Sequence, residues 1–313
     1  MGKGRGTIGG MESRNTWLGP IGIWTGNLDF LPTAAMKEAA AELEELGYAA
    51  IWVPEVAGRD VFVALTHILS STTRLVGATG IANIWGRDAV AMSCGVRAVT
   101  EAFPDRVLLG LGVSHQNLVE GLRGHSYRRP LEAMSAYLDA MEAAPYSAER
   151  PSTPVRRVIA ALGPKMLALA GEKADGAHPY LVPVEHTAEA RDVLGPQPLL
   201  CPEQMFVLET DPSAARAIAR RHLAVYLGQP NYARNLLRMG FGDEDFAGEG
   251  SDKLVDALVA WGDVDAVVDR VRAHLDAGAD HVCVQALVRE KRGVPFEQWR
   301  EVAPALRELA ASR

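Results

Sequence analysis

The same short phrase is written at both ends of the chain. Near the start, TAAMKEAAAELEELG brings Met36, Ala40, Leu43 and Leu46 together at helical spacing and leaves Glu38, Glu42, Glu44 and Glu45 on other faces. Gly47 stands where a helix-ending glycine would, and AAIWVPE follows at once as an apolar run. Near the end, DVDAVVDRVRAHLDAG repeats the phrase. Val264, Val268, Val271 and Leu275 share a face, Asp263 is placed to cap the start, Gly278 closes the helix, and HVCVQAL reads as the next strand. A helix that stops on glycine and feeds a buried strand is half of a βα unit. A chain built from such units is restricted to a parallel sheet clothed by helices.

The stretch between the two ends holds more of these units. Pro20–Trp24 supplies the first strand. Helix 60–71 leads to strand 74–81, helix 88–101 to strand 106–113, helix 130–143 to strand 155–161, helix 165–171 to strand 176–182, and helix 185–193 to strand 203–209. Eight strands with short connections in 313 residues favour an α/β fold of the (β/α)8 TIM barrel type over an open doubly wound sheet. The barrel is expected as a single domain over residues 17–313. Residues 1–16 are Gly-rich and basic without an apolar run, and read as a flexible N-terminal tail rather than a signal peptide. The rhythm breaks over 210–262, which holds several helices and the run GFGDEDFAGEGSD. That is too long for one connection, and it reads as a helical insertion, either with a solvated loop or as a lid over the barrel mouth.

Composition removes several function classes. The net charge of −7 is spread out and no basic block appears, which argues against nucleic acid as a partner. No apolar stretch approaches the roughly 18 residues of a membrane span. Cys94, Cys201 and Cys283 are odd in number and far apart, with no CxxC or Cys/His cluster, so a reduced, cytoplasmic protein without a metal site is expected. HExxH, GxSxG, Walker and GxGxxG patterns are all missing.

In a barrel, the residues just after each strand line the active mouth. After the first strand stand Trp24, Thr25 and Asn27; after the second, Glu55 and Arg59; after the third, Ala82 and Asn83. Ser114 and His115 follow the fourth strand, Gly163, Pro164 and Lys165 the fifth, and His178 and Tyr180 end the sixth. In ALGPKMLALAG a strand runs into glycine and proline and a helix starts directly. Proline suits a first helical turn, glycine permits close approach, and the free N–H groups there favour an anion such as phosphate; an ordinary strand-to-helix turn is the other reading. Glu55 is a candidate acid or base, or else a salt-bridge partner of Arg59. His115 is a candidate proton carrier near neutral pH, or a solvated loop histidine. His67 and His274 lie inside helices and read as structural, and His222, among Arg220 and Arg221, as solvated.

Read in order, LEELGYAAIWVPE, TRLVGATGIANIWGRDA, RVLLGLGVSH, ALGPKMLALAGEKADGAHPY and DAGADHVCVQAL resemble the bacterial luciferase-like superfamily, and within it the deazaflavin (coenzyme F420)-dependent oxidoreductases. The resemblance covers about residues 17 to 310. It implies a (β/α)8 barrel with an insertion, and a third strand ending in a bulge with a non-proline cis peptide that bears on the deazaflavin ring. The matching bond is Gly80–Ile81. The cofactor contacts it implies are Trp24, Thr79, Gly80, Ile81, Ala82 and Asn83 around the bulge, Gly112, Val113 and Ser114 after the fourth strand, and Gly163, Pro164, Lys165 and Met166 at the phosphate end. Trp85, His178 and Tyr180 are the expected substrate-pocket residues, and Glu55 or His115 the proton carrier. Some relatives carry a His and a Trp after the second strand where this chain has Glu55 and Arg59, so that catalytic assignment does not transfer.

The implied activity is hydride transfer between F420 and a small organic substrate, in a homodimer. An FMN-dependent luciferase-like monooxygenase served by a separate reductase is the first alternative. A barrel that binds a flavin-like molecule without turnover, or has only a structural role, is the second.

Overall fold

The computed structural model describes residues 17–290 and 292–313; the expected N-terminal tail, 1–16, lies outside the described residues. The chain begins β1 (Ile21–Trp24), α1 (Thr33–Glu45), β2 (Ala50–Val53), α2 (Val61–Leu69), β3 (Val76–Thr79), β4 (Ala82–Asn83) and α3 (Ala89–Ala102). It continues with β5 (Val107–Gly112), α4 (Pro130–Glu142), β6 (Arg156–Ile159), α5 (Pro164–Lys173), β7 (Gly176–Ala177) and α6 (Val184–Leu194). The last part holds β8 (Leu199–Leu200), β9 (Glu203–Leu208), α7 (Pro212–Leu227), α8 (Pro230–Arg238), α9 (Asp252–Leu258), β10 (Val259–Gly262), α10 (Val264–Asp276), β11 (Val282–Ala286) and α11 (Phe296–Ala311).

All the strand pairings are parallel, and the sheet runs β9-β11-β1-β2-β3-β5-β6-β7-β8. Closure comes from the run Leu199–Leu208, which is interrupted only at Cys201–Pro202. On one side the Cys201 N–H donates to the Ala177 carbonyl at 2.9 Å and the Glu203 N–H to the Pro179 carbonyl at 2.9 Å. On the other, the Asp280 N–H donates to the Leu200 carbonyl at 2.9 Å and the Cys283 N–H to the Pro202 carbonyl at 3.1 Å. One bent strand thus joins both ends of the sheet, and the expected eight-position barrel is complete. The bend has a local cause, because Pro202 has no N–H to continue the ladder.

Three sequence expectations need adjusting. The expected strand 74–81 is broken: β3 stops at Thr79, the Gly80–Ile81 peptide is cis, and the chain rejoins the sheet as β4 on β5, Ala82 against Leu111. The expected strand 176–182 is only Gly176–Ala177, since Pro179 and Pro183 cannot donate to a ladder and Leu181 takes a left-handed φ of 59°. The short strands β8 and β10 carry too little apolar periodicity to be seen in the sequence; β10 pairs with the outer edge of β9, Val259 against Met205. The segment after β9 folds as α7, α8 and α9. No helix of the described residues is long and apolar enough to cross a membrane.

Side chains alternate along each strand. Ile51, Val53, Leu109, Leu111, Ile159, Val282 and Val284 face the helices and pack on Leu65, Met92, Leu138, Val271 and Trp299. Ala50, Trp52, Val76, Ala78, Leu108, Val158, Met205 and Cys283 fill the barrel interior. That interior also holds polar groups. The Trp52 indole donates from Nε1 to His281 Nε2 at 3.0 Å and stacks on His178, with ring centres 4.5 Å apart. Gly22 is glycine because a Cβ there would lie 2.7 Å from His281 Nε2 and 2.8 Å from the Ala50 carbonyl.

Candidate active site

A cavity of about 700 Å³ opens at the C-terminal mouth of the barrel. One wall is the break between β3 and β4. The Gly80 N–H donates to the Val53 carbonyl at 2.8 Å, and the Glu55 N–H donates to the Ile81 carbonyl at 3.1 Å. The Trp24 indole Nε1 donates to the Gly80 carbonyl at 3.0 Å. A Cβ on Gly80 would lie 2.4 Å from that Trp24 nitrogen, so only glycine fits. Gly110 and Gly112 clear the neighbouring strand: a Cβ on the first would lie 2.0 Å from the Thr79 carbonyl oxygen, and on the second 2.5 Å from Ile81 Cδ1. The glycines of these strands therefore record close approach of one strand to a bulge in the next.

Glu55 holds this wall rather than standing free. Arg87 donates to both its oxygens, through Nη1 at 2.9 Å and through a shorter Nη2 bond, and the Asn83 N–H donates to Oε2 at 2.8 Å. The suggested Glu55–Arg59 pair is absent among the described residues; Arg59 instead reaches Asp29 and the Leu28 carbonyl. Asn83 lines the cavity, and its Oδ1 accepts from the Trp85 N–H at 2.9 Å.

The opposite wall is Gly112, Val113, Ser114 and His115, and beyond them Gly163 and Met166 at the start of α5. No side chain caps α5, and a Cβ on Gly163 would meet nothing within 4 Å. That helix start is thus open beside the cavity with its backbone N–H groups unclaimed by any capping side chain. His115 donates through Nδ1 to Asn231 Oδ1 at 3.2 Å, and burial pushes its imidazole below the ordinary value, against the opposing effect of that bond. His178 sits on the floor, 1% exposed. Its Nδ1 is 2.7 Å from the Cys201 carbonyl, which can only accept, so Nδ1 carries the hydrogen. Nε2 is then a lone-pair acceptor, and no described residue supplies it with a partner. Burial pushes this histidine down to about 4, so it is neutral at neutral pH.

Of the eighteen residues expected at the site, the structure brings Trp24, Glu55, Gly80, Ile81, Asn83, Gly112, Val113, Ser114, His115, Gly163, Met166, His178 and Tyr180 to the cavity. Five expected residues stand elsewhere. Thr79 is fully buried and clamps β3 to β5, donating to the Gly110 carbonyl at 2.6 Å and accepting from the Gly110 N–H at 2.8 Å. Ala82 is fully buried behind the wall. Trp85 turns its indole nitrogen to the Val113 carbonyl at 3.0 Å and braces the wall from outside. Pro164 and Lys165 are exposed at the α5 start, outside the cavity lining.

The sequence offered 210–262 as an insertion or a lid but marked none of its cavity residues. Val225, Tyr226, Gln229, Asn231, Tyr232 and Arg234 from α7 and α8 close over the cavity. His222, expected as solvated, is half-buried with Nε2 3.2 Å from the Tyr180 hydroxyl, and burial pushes it down to about 4. Glu203, at the start of β9, is 1% exposed in the barrel interior; burial raises its carboxyl to about 8, with only a 3.4 Å bond from the Leu181 N–H opposing. Nothing in EQMFVLE marks that glutamate as inward-facing; only the position of β9 in the closed sheet does.

A closed parallel barrel with one cofactor-sized cavity at its C-terminal mouth defines the class. The chain belongs to the luciferase-like monooxygenase family, whose model matches residues 20–281. Among its relatives is a Mycobacterium tuberculosis chain whose name proposes a coenzyme F420-dependent oxidoreductase, 26% identical over 85% of this chain and 94% of that one. Among solved structures, an F420-dependent secondary alcohol dehydrogenase in complex with an F420-acetone adduct superposes with a TM-score of 0.72 at 14% identity, over 92% of this chain and 99% of that one. The oxygenating constituent of 3,6-diketocamphane monooxygenase of Pseudomonas putida, in complex with FMN, superposes with a TM-score of 0.70 at 12% identity, over 94% and 98%. At those identities the two structures support the fold alone.

Proposed function

We propose that this chain is an oxidoreductase that moves a hydride between deazaflavin coenzyme F420 and a small organic substrate. The observation that carries the reading is one cavity with a glycine-cleared bulge on one side and an uncapped helix start on the other. A flat ring with a phosphate-bearing side chain needs both features. The residues present fit such a group: the space over Gly163 is open, and the buried His178 Nε2 is an acceptor left without a partner. The relative from Mycobacterium tuberculosis favours F420 over FMN.

When bound, the deazaflavin supplies a carbon that gives or takes a hydride. Ile81, Gly112 and Val113 would hold the ring, and Gly163 and Met166, at the open start of α5, the phosphate end. Glu55 keeps the bulge in shape through Asn83 and Arg87. That leaves His115, neutral by burial and open at Nε2, as the residue that takes or gives the substrate proton. The helices α7 and α8 act as an inserted roof that keeps water from the cavity. We place the protein in the cytoplasm as a homodimer; Val63 of α2 and Val90 of α3, each about half exposed, support a self-association face there.

Fluorescence titration tests the cofactor. Oxidised F420 should bind saturably to the purified protein and FMN markedly more weakly. Tighter binding of FMN would favour the monooxygenase alternative, and binding of neither would remove the reading.

A further inference from the structure

We infer that the roof side of the cavity is a subsite for a planar, hydrophobic carbonyl or alcohol, and that the Tyr232 hydroxyl is the hydrogen-bonding group that orients the substrate's oxygen. This rests on the hydride-transfer reading above and names the substrate class of the same site.

The first observation is the wall itself. Trp24, Tyr180, Tyr226 and Tyr232 form a continuous aromatic surface, with successive ring centres 5.1, 5.3 and 5.5 Å apart. Such a surface offers a flat ligand large apolar contact with favourable edge and offset geometries. Three hydrophobic residues stand exposed at the lip: Val56 at 51%, Leu122 at 55% and Val225 at 66%, and all three line the cavity. Hydrophobic side chains left in water around one opening mark the path of an apolar ligand.

The second observation is an accounting of hydroxyls. Four tyrosines line the cavity. Tyr127 donates to the Ser114 carbonyl at 3.3 Å. Tyr180 is saturated, with Gln285 Oε1 at 3.0 Å, Tyr226 Oη at 3.2 Å and His222 Nε2 at 3.2 Å. Tyr226 is engaged by Tyr180. Tyr232 is only 7% exposed, yet its hydroxyl has no hydrogen-bond partner among the described residues. That oxygen is not among the fully enclosed atoms without a partner, so it opens to the cavity and is free to donate to a ligand oxygen there. Burial, reinforced by Tyr226 and Glu203, holds this phenol well above its ordinary value, so it stays a neutral donor. Its ring lies 5.4 Å from that of His115, so the two side chains stand together on the cavity wall.

The test is equilibrium binding to F420-saturated protein of a matched pair of probes, 2-acetylnaphthalene and 2-ethylnaphthalene, which share a shape and differ in one carbonyl oxygen. Wild type should bind the ketone about fivefold more tightly, the worth of one ordinary hydrogen bond. Tyr232→Phe should erase that preference, leave 2-ethylnaphthalene binding within about twofold, and leave F420 binding unchanged; the retained hydrocarbon binding is its own control for folding. Leu122→Asp with Val225→Asp should weaken both probes alike. Equal binding of the pair to wild type, a preference that survives Tyr232→Phe, or no binding of either probe while F420 still binds would overturn the inference. Failure of F420 itself to bind would overturn the deazaflavin reading separately, because its visible fluorescence is followed apart from the naphthalene signal.

Discussion

Single residues carry the least expected chemistry of this protein. Glu203 is a carboxyl enclosed by the barrel, with Oε1 unpartnered and its titration raised to about 8 from 4.5. Between those two pH values the folded chain keeps a proton that the unfolded chain releases. The folded state is therefore at full advantage below about pH 4.5 and loses stability as pH rises toward 8. Glu203→Gln keeps the shape of the protonated carboxyl and has nothing to titrate. Its melting temperature should match wild type near pH 4.5 and exceed it at pH 8, by a margin on the order of a few kcal/mol in unfolding free energy. An advantage equal at both pH values would show that the carboxyl does not titrate in this range. Glycines show how much a residue's meaning depends on its neighbours. Glycine weakens a strand wherever it stands, but Gly80, Gly110 and Gly112 each answer to a different atom: the Trp24 indole, the Thr79 carbonyl and the Ile81 side chain.

At the scale of elements, the break between β3 and β4 is held by groups from three separate segments. Glu55 after β2 accepts from the Asn83 backbone and from Arg87, which precedes α3, and Arg87 also reaches Asp60 at 2.8 Å, the residue that caps α2. The Glu55 and Arg87 side chains are only 9% and 13% exposed. Removing one partner leaves a nearly buried charge uncompensated, which costs more than losing both. Arg87→Met should lower unfolding free energy by about 3 kcal/mol, and the double variant Glu55→Gln/Arg87→Met should recover a large part of that loss in urea titrations. Additive losses would mean the two side chains do not act as a unit. The motif GIANIWGRDA showed that something unusual happens at this strand end. That Glu55 braces it was invisible, because the residues lie about thirty positions apart and meet only when β2 and β3 pair, Val53 against Thr79.

At the scale of the whole molecule, buried titratable groups in the barrel, its helices and its roof set the pH dependence of stability. Burial holds His178, His222 and His281 down to about 4 and His274 to about 3, against 6.5 when unfolded. Groups shifted down contribute fully above pH 6.5, and their contribution is lost as pH falls toward 4. Glu203 acts in the opposite direction between 4.5 and 8. Four histidines outweigh one carboxyl on the acid side, and above pH 6.5 the carboxyl acts alone. Unfolding free energy measured at pH 4.5, 6.5 and 8.5 should thus peak at the middle value, and a monotonic rise to pH 8.5 would contradict the interior described here.

The sequence by itself determined the class of fold. The helix–glycine–strand phrase is local, its period is set by hydrophobic faces a few residues wide, and each copy can bury its apolar side only in a parallel sheet. It also determined most of the mouth, because residues directly after a strand inherit their place from the strand; hence Gly112, Ser114, Gly163 and Tyr180 are where the chain order puts them. Only the tertiary structure decided which of these face the cavity and what covers them. Thr79 and Trp85 turned away because period-two alternation and a carbonyl partner claimed them, and neither is visible without the neighbouring strand. Tyr232 and the hydroxyl it offers came from a helix more than fifty residues beyond Tyr180, the last cavity-lining residue before the roof. Long-range closure, not local propensity, brought that helix over the mouth.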